Sequence, residues 1–250
     1  MFEKSTTPSN PNDYSDLRAL QENIFAVQIS CQNGITTNQK SSQHGETSVG
    51  DKRTPVQVRS RKIKATIMEA AHEVMRERGI RAITTNAIAE RAGIKVGSIY
   101  DYFPNKEAVI AEIYEEKLTQ VRSFLEAGSE RIERENWRNQ LGELLRETWA
   151  YQLGIGLDRT IVDASYYYED LLRIARAHSQ LFATNYVRLL KRLGSSWSDD
   201  QLFDLGISLY TLVNATWSYW RLTETQCDIA IERQVLLTIT LMEPAVGGHR

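Results

Sequence analysis

The chain has 250 residues, 42% of them hydrophobic and 25% charged, with a formal net charge of −2. This length and apolar fraction suffice for one large helical domain or two smaller ones with a packed core. Only two cysteines are present, Cys31 and Cys227, which excludes a disulfide scaffold and favours a reducing, cytoplasmic compartment. No apolar run of about 18 residues and no signal-peptide pattern is found, so we expect neither a membrane partner nor export.

The charge is distributed unevenly along the chain. Residues 52–106 carry twelve Lys and Arg against five Asp and Glu, a net charge of +7, whereas residues 1–51 and 107–250 sum to −3 and −6. A basic segment between acidic ones suggests a surface that meets a polyanion. A solvated basic helix face is the alternative interpretation, and the motif within this segment makes that alternative weaker.

The chain begins with a polar segment and then becomes helical. Residues 1–54 are rich in Ser, Thr, Asn and Gln. This composition predicts a disordered arm, or sequence that lies upstream of the true start. Apolar residues at three- and four-residue steps then predict a helix over about 60–78, which Gly79 ends.

The next segment has the pattern of a helix-turn-helix. Thr84 stands at the N-cap of a helix over about 85–92, where its hydroxyl can accept from free backbone amides. Gly93 ends that helix with a positive φ, which only glycine adopts at little cost. A short third helix follows at about 96–102, and Pro104 prevents its smooth continuation. In a helix-turn-helix the second helix of the pair enters the DNA major groove.

The rest of the chain is predicted to be helical. We expect the long helical segment 158–193 to be interrupted near Tyr168 or His178. No alternation typical of strands is found, so the fold class is all-α. The remaining helices are predicted over about 105–127, 135–153, 158–193, 199–222 and 227–242.

Two sequence elements in the basic segment identify a family resemblance. Thr-Thr-x-x-Ile-Ala-x-x-Ala-Gly begins at Thr84, and Gly-Ser-Ile-Tyr-x-Tyr-Phe-x-x-Lys-Glu begins at Gly97. Both resemble the TetR family of bacterial transcriptional regulators, closely over about residues 60–120 and beyond that only in helical layout. The resemblance implies a TetR-like chain of three parts. They are the disordered polar arm at 1–54, a helix-turn-helix DNA-binding domain at 55–106 and a helical ligand-binding and dimerisation domain at 107–250.

The resemblance also implies a function. We expect a ligand-responsive repressor that binds a palindromic operator in double-stranded DNA as a homodimer and is released by an unidentified small molecule. No cofactor or metal is expected. Two alternatives remain open, a helical protein-interaction module that does not bind DNA, and an enzyme. The enzyme is the weaker alternative because the four histidines lack metal-ligand spacing, and Ser-His-Asp and glycine-rich phosphate motifs are absent.

Residues expected to contact DNA come from three places. Hydroxyl groups at the second and third helices, and a lysine at the start of the fourth, would hold phosphates. The lysine and valine that open the third helix would read bases, although the family commonly has Ser or Thr in place of that lysine. Basic residues at the first helix would follow the DNA backbone or minor groove. The predicted set is Arg59, Arg61, Lys62, Thr84, Thr85, Lys95, Val96, Gly97, Ser98, Tyr100, Tyr102 and Lys106.

The C-terminal part offers candidates for a ligand pocket and a dimer interface. Aromatic residues at helical spacing predict a pocket, with core or interface positions as the alternative; the pocket candidates are Trp149, Tyr167, Tyr186 and Trp217. The last two predicted helices each carry a long apolar face, and a monomer would leave one face partly exposed, which favours a C2 dimer. The interface candidates are Leu205, Leu209, Leu212, Trp220, Val235 and Ile239.

Overall fold

A computed structural model describes residues 55–226 and 228–247, with side chains from Val58 onward. The residues of the predicted arm, 1–54, lie outside this described part. Within it there are nine α-helices, two short 3-10 turns and no strands, which confirms the predicted all-α class. The helices are α1 Pro55–Arg78, α2 Thr85–Ala92, α3 Val96–Tyr100, α4 Lys106–Ser129, α5 Trp137–Gly154, α6 Arg159–Ala164, α7 Glu169–Arg192, α8 Asp199–Thr223 and α9 Asp228–Gly247.

Helices α1 to α3 form a small N-terminal unit, here called the head. The side chain of Thr84 caps α2 by accepting from the Ala87 amide at 3.1 Å, and Gly93 ends α2 with a φ of 65°. Ile88 and Ile99 are fully buried, so the apolar sides of α2 and α3 face the same small core. These contacts hold α3 at a fixed angle across α2, as the sequence predicted.

Helix α4 joins the head to the remaining helices. It begins at a cap in which the Asn105 side chain accepts from the Ala108 amide at 2.8 Å. Its N-terminal half packs on α1, where Lys64 and Glu112 form an ion pair of 2.6 Å. Its C-terminal half packs on α5 and α7. One unbroken helix therefore belongs to both parts of the molecule.

Helices α5 to α9 form the C-terminal part, here called the body. Its central contact is between α7 and α8, where Gly206 lies against the backbone of Ala183. Helix α8 begins with a capping box made by Ser198 and Gln201. The rings of Trp149, Trp217 and Trp220 lie 5.0–5.2 Å apart and fill the space between α5 and α8.

Several helix boundaries differ from the sequence-based expectation. Helix α1 begins at Pro55 rather than near residue 60, consistent with the preference of proline for a first turn. The 158–193 segment divides at residues 165–168, near Tyr168 and not at His178. Helix α9 extends to Gly247 with Pro244 inside it. Among the described helices, none is long and apolar enough to cross a membrane.

The close approach of α7 and α8 gives a stability prediction. A Cβ added at Gly206 would lie 2.7 Å from the Ala183 Cα, so Gly206→Ala forces two helices apart. We expect it to lower the free energy of unfolding by about 1–3 kcal/mol. Gly154→Ala is the matched control, because a Cβ there meets no atom within 4 Å. Urea unfolding of both variants is the measurement, and an equal stability of the two would contradict the packing described for α7 and α8.

Candidate nucleic-acid interface and effector cavity

Helix α3 presents a polar side to solvent. Ile99 points into the core of the head, while Lys95, Gly97 and Tyr100 are exposed and the Tyr100 side chain is 54% accessible. Val96, Ser98 and Tyr102 are partly buried at the margin of this side. Lys95 occupies the N-cap position, and among the described residues its ammonium group forms no hydrogen bond or ion pair. The exposed side of α3 is short, basic at its start and free of acidic residues within the helix.

Two of the predicted hydroxyl contacts also have structural roles. Thr84 uses its hydroxyl as the acceptor that caps α2. The Thr85 hydroxyl lies 3.4 Å from the Tyr100 hydroxyl, which links α2 to α3 at the surface. Because this pair is exposed and each hydroxyl has one donor hydrogen, the hydroxyl that accepts within the pair can still donate to an incoming phosphate oxygen.

Lys106 has an internal partner that the sequence did not indicate. Its Nζ atom donates to the Ile83 carbonyl at 3.0 Å, in a partly buried position. This bond ties the first residue of α4 to the turn that precedes α2. An ammonium group has three donors, so a phosphate contact by Lys106 stays a prediction beside this positioning role.

The basic residues of the head fall into two groups. Arg59, Arg61 and Lys62 on α1 are exposed, and within the described residues none of them forms an ion pair. Arg91 instead bonds to Glu73 at 2.9 Å and to Glu77, which fastens α2 to α1. Part of the positive charge of the head is therefore used internally, and the part on α1 remains available to a polyanion.

The body encloses a mostly apolar cavity of about 60 Å³ between α4, α5, α7 and α8. Two of the four predicted pocket residues, Trp149 and Trp217, line it. Tyr186 is instead buried in the core against Phe182, and Tyr167 is 59% exposed beside Arg81. The sequence did not indicate the polar part of the lining, because these residues are scattered among apolar positions on four helices. They are Tyr114, Arg122, Thr148, Gln152, His178, Tyr210 and Asn214.

The histidine and the two tyrosines in the lining of this cavity are uncharged at neutral pH. Burial, helped by the positive charge of Arg122, lowers the pKa of His178 to about 4. Burial raises the pKa of Tyr114 to about 12 and also raises the pKa of Tyr210. Because the neutral form of each group is the stable one there, the interior suits the uncharged part of a ligand.

A loop between α5 and α6 connects the cavity wall to the head. Leu157 lines the cavity, and the adjacent Asp158 has its Oδ2 atom 3.4 Å from both His72 Nε2 and Arg76 Nε on α1. Lys117 on α4 donates to the Ile155 carbonyl at 2.5 Å. Neighbouring residues of one short loop therefore contact the cavity, α1 of the head and α4.

The predicted dimer residues divide between core and surface. Leu209, Trp220 and Val235 are buried within the single chain, so their side chains are already used in its own core. The other three candidates, on α8 and α9, are partly buried and pack against the core: Leu205, Leu212 and Ile239. The same two helices expose large apolar side chains that the prediction omitted, Phe203, Leu237 and Leu241.

Comparison with known proteins assigns these features to a family. The family model of bacterial regulatory proteins of the tetR family matches residues 67–113, which include the whole helix-turn-helix. The fatty acid metabolism regulator protein of Bacillus subtilis is 39% identical over 66 residues, 26% of this chain and 32% of its own length. The transcriptional repressor KstR2 of Mycobacterium tuberculosis is 42% identical over 57 residues, 23% of this chain and 28% of its own length.

The chain thus matches about a third or less of the length of these curated relatives. The fold extends the comparison to the body. A TetR-family transcriptional regulator from Streptomyces coelicolor superposes with a TM-score of 0.54 at 20% identity, covering 73% of this chain and 97% of that structure. The head therefore matches the tetR family of bacterial regulatory proteins in sequence, and the body shares the fold of a solved TetR-family regulator.

Proposed function

We propose that this protein is a transcriptional regulator, a repressor that binds a palindromic operator as a homodimer and leaves it when a small molecule enters the body. The exposed side of α3 is the observation that carries the DNA-binding part. Lys95, Gly97 and Tyr100 are presented to solvent on a helix whose other side is locked by Ile99. A short recognition helix held rigidly in this way fits the major groove. Such a protein acts where the chromosome is, in the cytoplasm.

The distribution of charge supports DNA as the partner. Arg59, Arg61 and Lys62 extend the basic surface along α1, while the segment 107–250 is acidic. A protein-interaction module has no need of this separation, whereas a DNA-binding protein gains affinity on one face and avoids wrong contacts elsewhere. The names of two relatives, a metabolism regulator and a repressor, support the same function.

A dimer is supported by the outer sides of α8 and α9. Leu237 and Leu241 of α9 and Phe203 of α8 are exposed in the single chain. A shallow apolar groove between the two helices is lined by Leu212, Tyr219 and Leu237. In a C2 arrangement each copy would cover the same residues of the other copy, and the two α3 helices would lie on one face of the dimer.

Release by a ligand is supported by the loop 155–158. Leu157 forms part of the cavity wall, and Asp158 faces His72 and Arg76 of α1. A ligand that displaces Leu157 moves a group that holds the head. The ligand then favours one orientation of the head over another, which is the requirement for allosteric control.

DNA binding is tested with the purified chain and DNA flanking its own gene, in gel shifts at two salt concentrations. We expect binding that weakens with salt, because each phosphate contact releases condensed counterions. Lys95→Gln should lower the affinity by roughly tenfold, the loss typical of one direct contact to a base. Arg188→Gln, an exposed residue of α7, is the control and should bind as the unchanged protein does.

Two outcomes would count against this function. A folded protein without any salt-sensitive DNA binding would refute the regulator and favour a protein-interaction module. An equal loss of affinity in the Lys95 and Arg188 variants would refute the assignment of α3 as the recognition helix.

The dimer is tested by a charge in its expected interface. Leu237→Arg places a guanidinium in the apolar contact, so we expect a monomer in analytical ultracentrifugation and a large loss of operator affinity. Leu172→Arg on α7 is the matched control, since the two leucines are 47% and 43% exposed. If Leu237→Arg remains dimeric while Leu172→Arg dissociates, the interface lies elsewhere.

A further inference from the structure

The enclosed cavity adjoins a larger groove at the surface. This groove, of about 540 Å³, opens between α4 and α7 and carries both acidic and basic side chains. Three residues line the cavity and the groove alike, Leu118 and Arg122 of α4 and His178 of α7. We call these three residues the gate, because a molecule that passes from the groove into the cavity must pass them.

Two buried polar side chains in the cavity lack hydrogen bonds. Gln152 is 4% exposed and His178 is 7% exposed, and neither side chain has a hydrogen-bond partner among the described residues. Thr148, by contrast, donates to the Leu144 carbonyl. Because a polar group in an apolar wall is more stable when it is hydrogen-bonded, the two free side chains point to a ligand that pairs with them.

The gate also holds an unpaired cation. Within the described residues, Arg122 has no ion pair, whereas two of the three acids of the groove are paired with other residues. Glu112 pairs with Lys64, and Asp170 pairs with Arg173. Glu115 is free but stands seven residues earlier on α4, roughly 10 Å along the helix axis. The guanidinium of Arg122 is therefore the charge that an anionic group meets at the mouth of the cavity.

We propose that the effector is an apolar, ring-containing carboxylate that also carries a neutral hydrogen-bonding group. It enters between α4 and α7 and binds with its carboxylate against Arg122. This inference rests on the proposed function, since it names the ligand of the same site. A guanidinium matches a carboxylate in a two-point contact. The walls supply aromatic faces and edges from Trp149, Trp217 and Phe182 for a ring. Gln152, on α5, supplies the partner for the neutral polar group.

The cavity must widen to admit such a ligand. Its volume of about 60 Å³ is smaller than the roughly 150 Å³ apolar cavity that accommodates benzene in an engineered core. The groove outside is larger than the cavity. The residues that must move are therefore those of the gate, chiefly the side chain of Leu118. Leu118 and Lys117 are adjacent on α4, and Lys117 holds the loop 155–158, so widening acts directly on the loop that contacts the head.

The test uses four small molecules that differ at one position each. They are para-hydroxyphenylacetate, phenylacetate without the hydroxyl, tyrosol with an alcohol in place of the carboxylate, and tyramine with an amine there. Calorimetry and thermal shift on the full chain, without DNA, measure binding. We expect para-hydroxyphenylacetate to bind most tightly and tyramine least, because Arg122 repels a cation and the cavity satisfies the hydroxyl.

Three variants assign the preference to residues. Arg122→Gln should lower the affinity for para-hydroxyphenylacetate by roughly tenfold to a hundredfold and make it equal to the affinity for tyrosol. This loss is typical of a charged hydrogen bond. Gln152→Leu should remove the advantage of para-hydroxyphenylacetate over phenylacetate. Arg173→Gln is the control in the same groove, because Arg173 is already paired with Asp170, and it should bind the carboxylates unchanged.

The outcomes separate this inference from the proposed function. Failure of all four molecules to bind, equal binding of tyrosol and the carboxylate, or an equal loss in Arg173→Gln overturns the ligand class. Salt-sensitive DNA binding in the gel shift, made without these molecules, is unaffected by any of these results. A chain that binds the carboxylate through Arg122 and never binds DNA supports the ligand class and refutes the regulator.

Discussion

Helix α4 is the constraint on which the rest of the molecule depends, because a single ladder of backbone hydrogen bonds runs from the head to the body. At one end Lys106 holds the turn before α2 through the Ile83 carbonyl. At the other end Leu118 and Arg122 line the cavity and its mouth. A helix transmits displacement along its axis with little compliance. A displacement of α4 at the gate would therefore reach the turn before α2 through one helix and the Lys106 hydrogen bond.

The head was predictable from sequence because its signals are local. Thr84 as a cap and Gly93 as a stop act over a few residues, and both lie where the sequence indicates. The roles of Lys106 and Arg91 were not predictable, since each depends on a partner more than ten residues away. The sequence does not distinguish a long charged side chain that bonds to a neighbouring helix from one that bonds to a phosphate.

The body shows a different limit, because periodicity identifies an apolar side of a helix but not what fills the space beside it. Trp217 and Trp220 stand three residues apart on α8 and both touch Trp149. Only Trp217 lines the cavity, whereas Trp220 is in the core. Tyr186 and Phe182 divide in the same way on α7, with Phe182 in the lining. The cavity is a gap in the packing of four helices. Where such a gap occurs depends on side-chain volumes and helix crossing angles together.

Two connections lead from the cavity to the head, and they meet at one residue. Helix α4 carries the first, and the loop 155–158 carries the second through Asp158. Lys117 of α4 is bonded to the Ile155 carbonyl, so the loop cannot shift independently of the helix. Burial lowers the pKa of this lysine, while the acidic charges nearby, Glu69 first among them, raise it. A partly desolvated ammonium group loses more stability when its hydrogen bond breaks than a solvent-exposed ammonium group does. The two connections therefore move as a unit, which favours two discrete orientations of the head over a continuous range.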